Sequence, residues 1–162
     1  MYKASSKYGE AILGKNVDIV GEANFGSEPY LVKIGDNTTI SFDCAFVTHD
    51  AATRVIRNLP DGDKETVIYA PIVVGKNCFI GCRTVILPGV TIGDNCIIGA
   101  GSIVNQSIPS NTVAAGSPCK VICTLEAYRN KHKDDFMYIV SKPFAEKKKI
   151  LMNKFKIKEQ PK

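Results

Sequence analysis

The amino-acid sequence predicts an all-β fold, a parallel β-helix, from two observations. A large hydrophobic residue recurs every six positions, a period that fits neither an α-helix nor a simple amphipathic strand. The residue that follows is often Gly, which tolerates bends between short straight segments. The recurring positions are Leu13, Ile19, Phe25 and Leu31, then Ile34, Ile40 and Phe46, and finally Val74, Ile80, Ile86, Ile92, Ile98 and Val104.

Three six-residue segments close one triangular coil of 18 residues, so that residues 18 apart should stack about 4.8 Å from each other. The small residue at the fifth position of each segment should also point inward, towards a corner, and Cys44, Cys78 and Cys96 all stand there. The expected stacked pairs are Val74 with Ile92, Ile80 with Ile98, and Ile86 with Val104.

The repeat divides the chain into successive parts. Residues 13–50 provide about two coils, residues 72–109 provide two more, and residues 110–123 should form a partial coil. Between them, residues 51–71 are polar and rich in turn-forming residues, which predicts a projecting loop. Residues 1–12 form a lead-in.

A helical pattern replaces the repeat at Thr124. We expect one helix over Leu125 to Asp135 and a second from Pro143, with Thr124 and Ser141 as candidate N-caps. The predicted domains are therefore a β-helix over residues 1–123, with its loop at about 51–71, and a helical tail over residues 124–162.

Composition narrows the class of protein. The chain has 162 residues, 44% of them hydrophobic, and a net charge of +5. The longest apolar run, Phe136 to Val140, is far shorter than the roughly 20 residues of a membrane span. Met1 to Gly14 lacks the pattern of a signal peptide. We therefore expect one cytoplasmic domain.

Much of the positive charge lies in the tail. It is consistent either with a solvated helix face or with an anionic partner. No recognised motif for nucleic-acid binding accompanies it, so nucleic acid is not expected as a partner. The lysines concerned are Lys147, Lys148, Lys149, Lys154, Lys156 and Lys158.

The six cysteines are expected to be reduced thiols. Cys78 and Cys96 should stack without bonding, because buried free cysteines behave as small hydrophobic residues. No pair has the CxxC spacing typical of zinc ligands, so no metal is expected.

His49 is the candidate catalytic residue. It lies at the end of the early coils and at the start of the loop, in a slot that faces away from the core. An unperturbed imidazole has a pKa near 6.5, which suits a general base at neutral pH. The only other histidine, His132, lies in a charged stretch and is expected to be a solvated helix residue.

Further motifs carry a resemblance to a known family. They are Thr48-His49-Asp50, Ile80-Gly81-Cys82, Ile86-Leu87-Pro88-Gly89-Val90-Thr91-Ile92-Gly93, Ile98-Gly99-Ala100-Gly101-Ser102 and Ala115-Gly116-Ser117-Pro118-Cys119-Lys120-Val121-Ile122. Together they resemble the hexapeptide-repeat acyltransferases, which are left-handed parallel β-helices. Within that family the chain looks most like sugar O-acetyltransferases of the maltose, galactoside and surface-polysaccharide type.

The resemblance implies a homotrimer that uses acetyl-CoA and transfers the acetyl group directly to a sugar hydroxyl. It implies that His49 is the base, and that N–H groups near Gly81 and Cys82 stabilise the oxyanion. The donor would pass Ala100 and reach Lys120. The loop would shape the acceptor pocket, with Asp50, Arg54 and Arg57 as candidate contacts.

The chain departs from the family pattern at the donor site. Cys82 stands where related enzymes often have Ser, and Asn105-Gln106 stands where many have Thr-Lys, so a cationic contact to CoA is missing at Asn105 and Gln106. Two alternatives to sugar O-acetylation remain open: N-acetylation of an amino sugar or amino-bearing drug, and a non-catalytic β-helix scaffold. A zinc carbonic anhydrase of the same fold is disfavoured, because it needs a cluster of histidines.

Overall fold

The computed structural model describes residues 5–6 and 9–158, so the predicted lead-in over residues 1–12 lies partly outside the described residues. The helices are α1 (Thr53–Arg57), α2 (Leu125–His132) and α3 (Phe144–Phe155), with 3₁₀ turns at Pro29–Leu31 and Lys133–Asp135. The strands are β1 (Ser5–Ser6), β2 (Gly9–Glu10), β3 (Ile12–Leu13), β4 (Asp18–Ile19), β5 (Ala23–Asn24), β6 (Val32–Ile34), β7 (Thr39–Ile40), β8 (Cys44–Phe46), β9 (His49–Asp50), β10 (Ile68–Tyr69), β11 (Ile72–Val74), β12 (Phe79–Ile80), β13 (Val85–Ile86), β14 (Thr91–Ile92), β15 (Ile97–Ile98), β16 (Ile103–Val104), β17 (Thr112–Ala115) and β18 (Lys120–Thr124).

Three sheets of parallel strands form the sides of the coils. The first sheet has the order β14-β11-β6-β3, the second β18-β17-β15-β12-β7-β4, and the third β16-β13-β8-β5. The predicted stacking is confirmed, because the strands pair with these residues opposite each other, and all six are at most 1% exposed. The pairs are Val74 with Ile92, Ile80 with Ile98, and Ile86 with Val104.

The ends of the stack depart from the ideal columns. Leu13 is in register with Ile34, yet it is 39% exposed, because no parallel strand of another coil covers β3 on its other edge. At the other end, β17 continues the second sheet in parallel, but β18 runs antiparallel to it. The expectation of a partial coil over residues 110–123 is therefore wrong after Ala115, where the chain turns back on itself.

The corner between the first and second sheets, here called the Asn corner, is regular. Five asparagines occupy the same left-handed slot there, with φ between 53° and 61°. Three side-chain hydrogen bonds, here called the asparagine ladder, link asparagines of successive coils, with the amide donating to the carbonyl oxygen at 3.1 Å from Asn16 to Asn37, 2.8 Å from Asn77 to Asn95, and 2.9 Å from Asn95 to Asn111. Asn tolerates this slot better than other non-glycine residues, which explains its recurrence.

The corner between the third sheet and the next coil's first sheet, here called the His49 corner, is irregular. Successive coils pair at separations of 21, 40, 18 and 16 residues. The buried column residues stay six apart inside each complete coil, so every departure from 18 falls at this corner. The separation of 21 comes from the 3₁₀ turn at Pro29–Leu31, and it removes Leu31 from the column predicted for it.

The separation of 40 comes from the segment predicted to be a loop. It is an ordered hairpin whose stem pairs β9 with β10 in antiparallel register, Asp50 opposite Ile68 and His49 opposite Tyr69. Helix α1 lies within it.

The tail contains two α-helices near the predicted positions, α2 from Leu125 and α3 from Phe144. Thr124 Oγ1 accepts a hydrogen bond from the N–H of Ala127 at 3.1 Å, so Thr124 caps α2. Ser141 does not cap α3, because Pro143 occupies that position and makes no capping bond through its side chain. The chain divides into two compact units at residues 129 and 130. No helix in the described part of the chain is long and apolar enough to cross a membrane.

The predicted burial of the corner cysteines is confirmed. Cys44, Cys78 and Cys96 are buried and unbonded. The thiol of Cys78 lies 3.1 Å from the carbonyl oxygen of Gly93, and burial raises its pKa to about 11. These thiols fill the corners as small, unreactive groups.

Candidate active site

His49 lies at the start of the hairpin, and its ring is held by an acidic partner. Its Nδ1 lies 2.9 Å from Oε2 of Glu28, which belongs to the previous coil. The same carboxylate oxygen accepts the hydroxyl of Thr48 at 2.8 Å. The side chain of His49 remains 33% exposed, so the ring is anchored at Nδ1 and open to solvent elsewhere.

The negative charge of Glu28 determines which ring nitrogen of His49 carries the proton in the neutral imidazole. Burial alone would raise the pKa of Glu28, but hydrogen bonds from His49, Thr48 and Ser27 outweigh it and hold this pKa below its ordinary value. Glu28 is therefore an anion at neutral pH and accepts the Nδ1–H of His49. The neutral imidazole then carries its lone pair on Nε2, which is the arrangement that a general base requires.

Tyr69 is the second neighbour of His49. It faces His49 across the hairpin stem, with ring centroids 5.7 Å apart and ring planes inclined by 58°. Its side chain is 53% exposed. It therefore borders the open side of the imidazole with an aromatic surface that a ligand can reach.

Sequence reasoning missed both neighbours of His49. The available signal for Glu28 was its position in the three-residue slip, immediately before Pro29. No signal in the sequence pointed to Tyr69, because its position depends on the register of the hairpin.

The other predicted acceptor contacts lie in the hairpin. Asp50 is exposed, and its Oδ1 accepts the N–H of Ala52 at 2.8 Å, so one carboxylate oxygen supports the entry to α1. Arg54 is exposed on α1. The guanidinium of Arg57 is half-buried, and its Nε has no hydrogen-bond partner in the described part of the chain. All three lie on the segment that begins at His49.

The predicted oxyanion donors lie at the corner between the second and third sheets, here called the Gly81 corner. The N–H of Gly81 donates to the carbonyl of Ile98 at 2.8 Å, so this N–H is already used between coils. Gly81 is required for packing instead, since a Cβ there would lie 2.5 Å from the backbone nitrogen of Ala100. The N–H of Cys82 makes no hydrogen bond within residues 9–158.

The donor path predicted along this corner is exposed. Ala100 and Gly101 both face solvent, and a Cβ built on Gly101 would meet nothing within 4 Å. Lys120 is exposed on β18, where it pairs with Ala115. The column from Cys82 past Ala100 therefore has room for an extended ligand.

The predicted site residues fall into separate groups. His49, Asp50, Arg54 and Arg57 belong to the His49 corner, and so do Asn105 and Gln106, which are both exposed. Gln106 Nε2 donates to the carbonyl of Cys119 at 3.3 Å. Gly81, Cys82 and Ala100 belong to the Gly81 corner. The third sheet lies between the two corners, so one chain does not bring His49 next to Cys82.

A groove of about 530 Å³ opens on the third sheet, in the first two coils. Its polar lining comes from Glu22, Asn24 and Asp43. The groove ends at Gly26, close to the hydroxyl of Thr48, which contacts Glu28. No group of acidic residues, histidines and cysteines in the described part of the chain is suited to hold a metal ion.

Known proteins match this chain in its repeats and beyond them. Residues 71–106 match the family described as bacterial transferase hexapeptide (six repeats). Protein CapG of Staphylococcus aureus is 42% identical over 138 residues, which are 85% of this chain and 78% of that protein. Galactoside O-acetyltransferase of Escherichia coli K12 is 44% identical over 107 residues, which are 65% of this chain and 49% of that enzyme.

The similar solved structures include acetyltransferases. A galactoside acetyltransferase in complex with coenzyme A superposes with a TM-score of 0.53 and 30% identity, over 80% of this chain and 70% of that one. A hexapeptide-repeat acetyltransferase of Vibrio cholerae in complex with acetyl-CoA gives a TM-score of 0.55 and 27% identity, over 72% of this chain and 62% of that one.

Proposed function

Since the chain belongs to the hexapeptide-repeat acetyltransferase family, we propose that it transfers the acetyl group of acetyl-CoA to a hydroxyl of a sugar or saccharide. The observation that carries this proposal is the pair formed by His49 and Glu28, in which Nδ1 lies 2.9 Å from the carboxylate and the His49 side chain stays 33% exposed. The acetyl donor is supported by two similar structures that hold coenzyme A or acetyl-CoA.

In the proposed reaction His49 acts as a general base. Nε2 takes the proton from the acceptor hydroxyl while its oxygen attacks the thioester carbonyl. The C–S bond then breaks, and the protonated imidazole returns that proton to the departing thiolate, so the enzyme ends as it began. Glu28 stabilises the imidazolium that forms between these steps, as a carboxylate partner does in other acyl-transfer enzymes.

The donor and the acceptor would occupy different surfaces. We place the extended arm of acetyl-CoA along Cys82 and Ala100, with the Cys82 N–H directed at the developing oxyanion and Lys120 at a phosphate. The groove beside Glu22, Asn24 and Asp43 offers side-chain hydrogen-bond acceptors suited to sugar hydroxyls. Tyr69 would cover one face of the acceptor.

The complete site would then form between subunits of a homotrimer. This proposal is supported by the separation of the His49 and Gly81 corners within one chain. In a trimer, the Gly81 corner of one copy can lie beside the His49 corner of its neighbour. It is further supported by exposed apolar side chains on the prism, including Phe42, Phe79 and Ile103. Such interfaces are common sites for small molecules.

The function is tested by measuring acetyl-CoA-dependent thiol release with a panel of glycosides and their matched 2-amino analogues. We expect turnover with a hydroxylated saccharide and saturation with acetyl-CoA. Turnover confined to the amino analogues would support N-acetylation instead. If no acceptor reacts and acetyl-CoA does not bind, the chain is a scaffold.

The shared site is tested by mixing two inactive variants. His49→Ala removes the base, and Ala100→Trp fills the proposed donor path with a bulky ring. Random mixed trimers should recover about a quarter of the wild-type rate, because a site needs one intact half from each of two chains. Absence of recovery, with mixed assembly verified by mass, would mean that each site is built within one chain.

A further inference from the structure

The positive charge of this protein is concentrated in one segment. Residues 136–158, here called the basic segment, hold seven lysines and one glutamate, which gives them a net charge of +6, against +5 for the whole chain. All other residues together therefore carry a net charge of −1. The single glutamate, Glu146, is paired with Lys142, which lies one turn earlier in the sequence.

The same segment exposes large apolar side chains. Large apolar side chains are usually at least partly buried against the protein, and a cluster of exposed ones marks a contact surface. The structure leaves at least 59% of each of five of these side chains in contact with solvent: Tyr138 at 90%, Val140 at 87%, Phe144 at 83%, Phe155 at 60% and Ile157 at 59%.

Helix α3 arranges these two kinds of residue side by side. With 3.6 residues per turn, Phe144, Leu151 and Phe155 fall within about 40° of one another around the helix. Lys147 and Lys154 lie along one edge of that stripe, and the Nζ of Lys154 reaches to 5.9 Å from the centroid of the Phe155 ring. The lysine stems can thus lie against an apolar surface while their charges remain in water.

We propose that the basic segment binds a membrane surface rich in anionic lipid, with Phe144 and Phe155 inserted between headgroups and the lysines beside the lipid phosphates. An apolar stripe edged by lysines is typical of helices that lie in the membrane interface. Charge complementarity favours lipid over a protein groove, since the segment carries seven lysines and no arginine, the residue preferred for ion pairs in protein interfaces. The binding is peripheral and independent of the acetyltransferase reaction.

The proposal is tested by co-sedimentation of the full-length protein with vesicles. One set contains phosphatidylcholine with phosphatidylglycerol in a 3:1 ratio, and the other contains phosphatidylcholine alone. We expect sedimentation with the anionic vesicles that weakens as salt rises, and little with the neutral ones, because the attraction acts within a Debye length. Equal sedimentation with both vesicles, or with neither, would overturn the proposal.

Two variants with the same change in charge locate the contact. Lys147→Glu/Lys154→Glu reverses two charges beside the stripe and should weaken binding at least 20-fold, at about fivefold for each lysine lost. Lys131→Glu/Lys133→Glu makes the same change in the same compact unit but outside the basic segment, and it should lose much less. Equal losses in both variants would mean that only net charge matters, and the assigned segment would be wrong.

The apolar part of the contact has its own test. Phe144→Ser/Phe155→Ser should weaken binding to anionic vesicles while the helix content and the oligomeric state stay unchanged. If this variant instead alters the oligomeric state in sedimentation velocity and leaves vesicle binding intact, the stripe is a subunit contact and the proposal fails.

Discussion

The Asn corner and the His49 corner belong to the same coils, but the turns are regular at the first and irregular at the second. At the Asn corner one residue type recurs in one backbone conformation, and side chains of successive coils bond to each other. At the His49 corner no two successive turns are alike, since they are in order a 3₁₀ turn, a hairpin with a helix, a turn that keeps the regular separation of 18, and a shortened turn. The coil thus keeps its regularity on one edge and departs from it on another.

We infer from this difference that the Asn corner contributes mainly to stability and the His49 corner to the proposed chemistry. A repeat stabilises its neighbours only where its register is kept, so an insertion is tolerated at a corner that carries little of the ladder. The same insertions supply what the repeat cannot, namely an acidic partner for His49 and an aromatic wall beside it. Variants at the two corners should therefore fail in different ways.

The largest effect is expected at the His49 corner. His49→Ala should lower kcat about 10²–10⁴-fold, because it removes the proposed general base. The circular dichroism spectrum and the melting temperature should remain close to wild type. His132→Ala is the matched control and should retain activity. Near-normal turnover of the His49 variant would contradict the assignment.

Removing the charge that orients His49 should have a smaller effect. Glu28→Gln should lower kcat about 10–100-fold, as for other partners that fix an imidazole tautomer. KM for acetyl-CoA should change little, because Glu28 touches His49 and Thr48 rather than the donor path. Glu126→Gln, on the exposed face of α2, serves as control. Equal activity of the two variants would mean that Glu28 does not orient the base.

At the Asn corner the expected effect is on stability. A Cβ at Gly35 would lie 2.6 Å from the carbonyl carbon of Gly75, so Gly35→Ala should destabilise the fold by about 1–3 kcal/mol in urea titrations. Gly101→Ala meets no atom within 4 Å and has only its positive φ of 69° to accommodate, so it should cost less. The reverse order of stabilities would mean that close packing does not set this corner.

The asparagine ladder should contribute a smaller amount. Asn95→Ala loses hydrogen bonds to both Asn77 and Asn111 and places alanine at φ 56°, for an expected cost of about 1–2 kcal/mol. Asn95→Gly loses the same bonds but tolerates the conformation. The difference between their free energies of unfolding in urea therefore measures the cost of the left-handed backbone conformation for alanine. Identical stabilities would exclude such a cost.

The smallest effect is the pH dependence contributed by Glu28. Its pKa is lowered from 4.5 in the folded state, so its contribution to stability is complete above that value and is lost as pH falls through the lower, folded value. The stability gap between wild type and Glu28→Gln should shrink as pH falls from about 5 to below 4.5. A gap that grows over this acidic range would reverse the sign of this interaction.

The sequence predicts the regular corners better than the irregular one. The pairing of Val74 with Ile92 follows from a period of 18, and the buried slot of Cys78 follows from the same count. The contact between His49 and Glu28 does not, because it depends on how three additional residues fold into a 3₁₀ turn. Insertions carry no period, so their geometry has to be observed.

Two other differences between the sequence prediction and the structure arise from backbone hydrogen bonding. The motif at Gly81 indicates a functional corner, but its N–H is already used between coils, which only the ladder geometry reveals. The turn after Ala115 has the Gly and Pro of an ordinary corner, yet β18 returns antiparallel along β17. Residue types alone do not distinguish a bend of about a third of a turn from a complete reversal.

The asparagine ladder also bears on how such a chain can grow. Because Asn77 and Asn95 present the same amide in the same conformation 18 residues apart, a duplicated stretch of that length would meet a matching surface above and below it. Such a duplication would lengthen the prism by about 4.8 Å and leave each existing contact within a coil unchanged. The length of this protein can therefore change in whole coils through tandem duplication of its gene segment, while the chemistry at the opposite edge evolves separately.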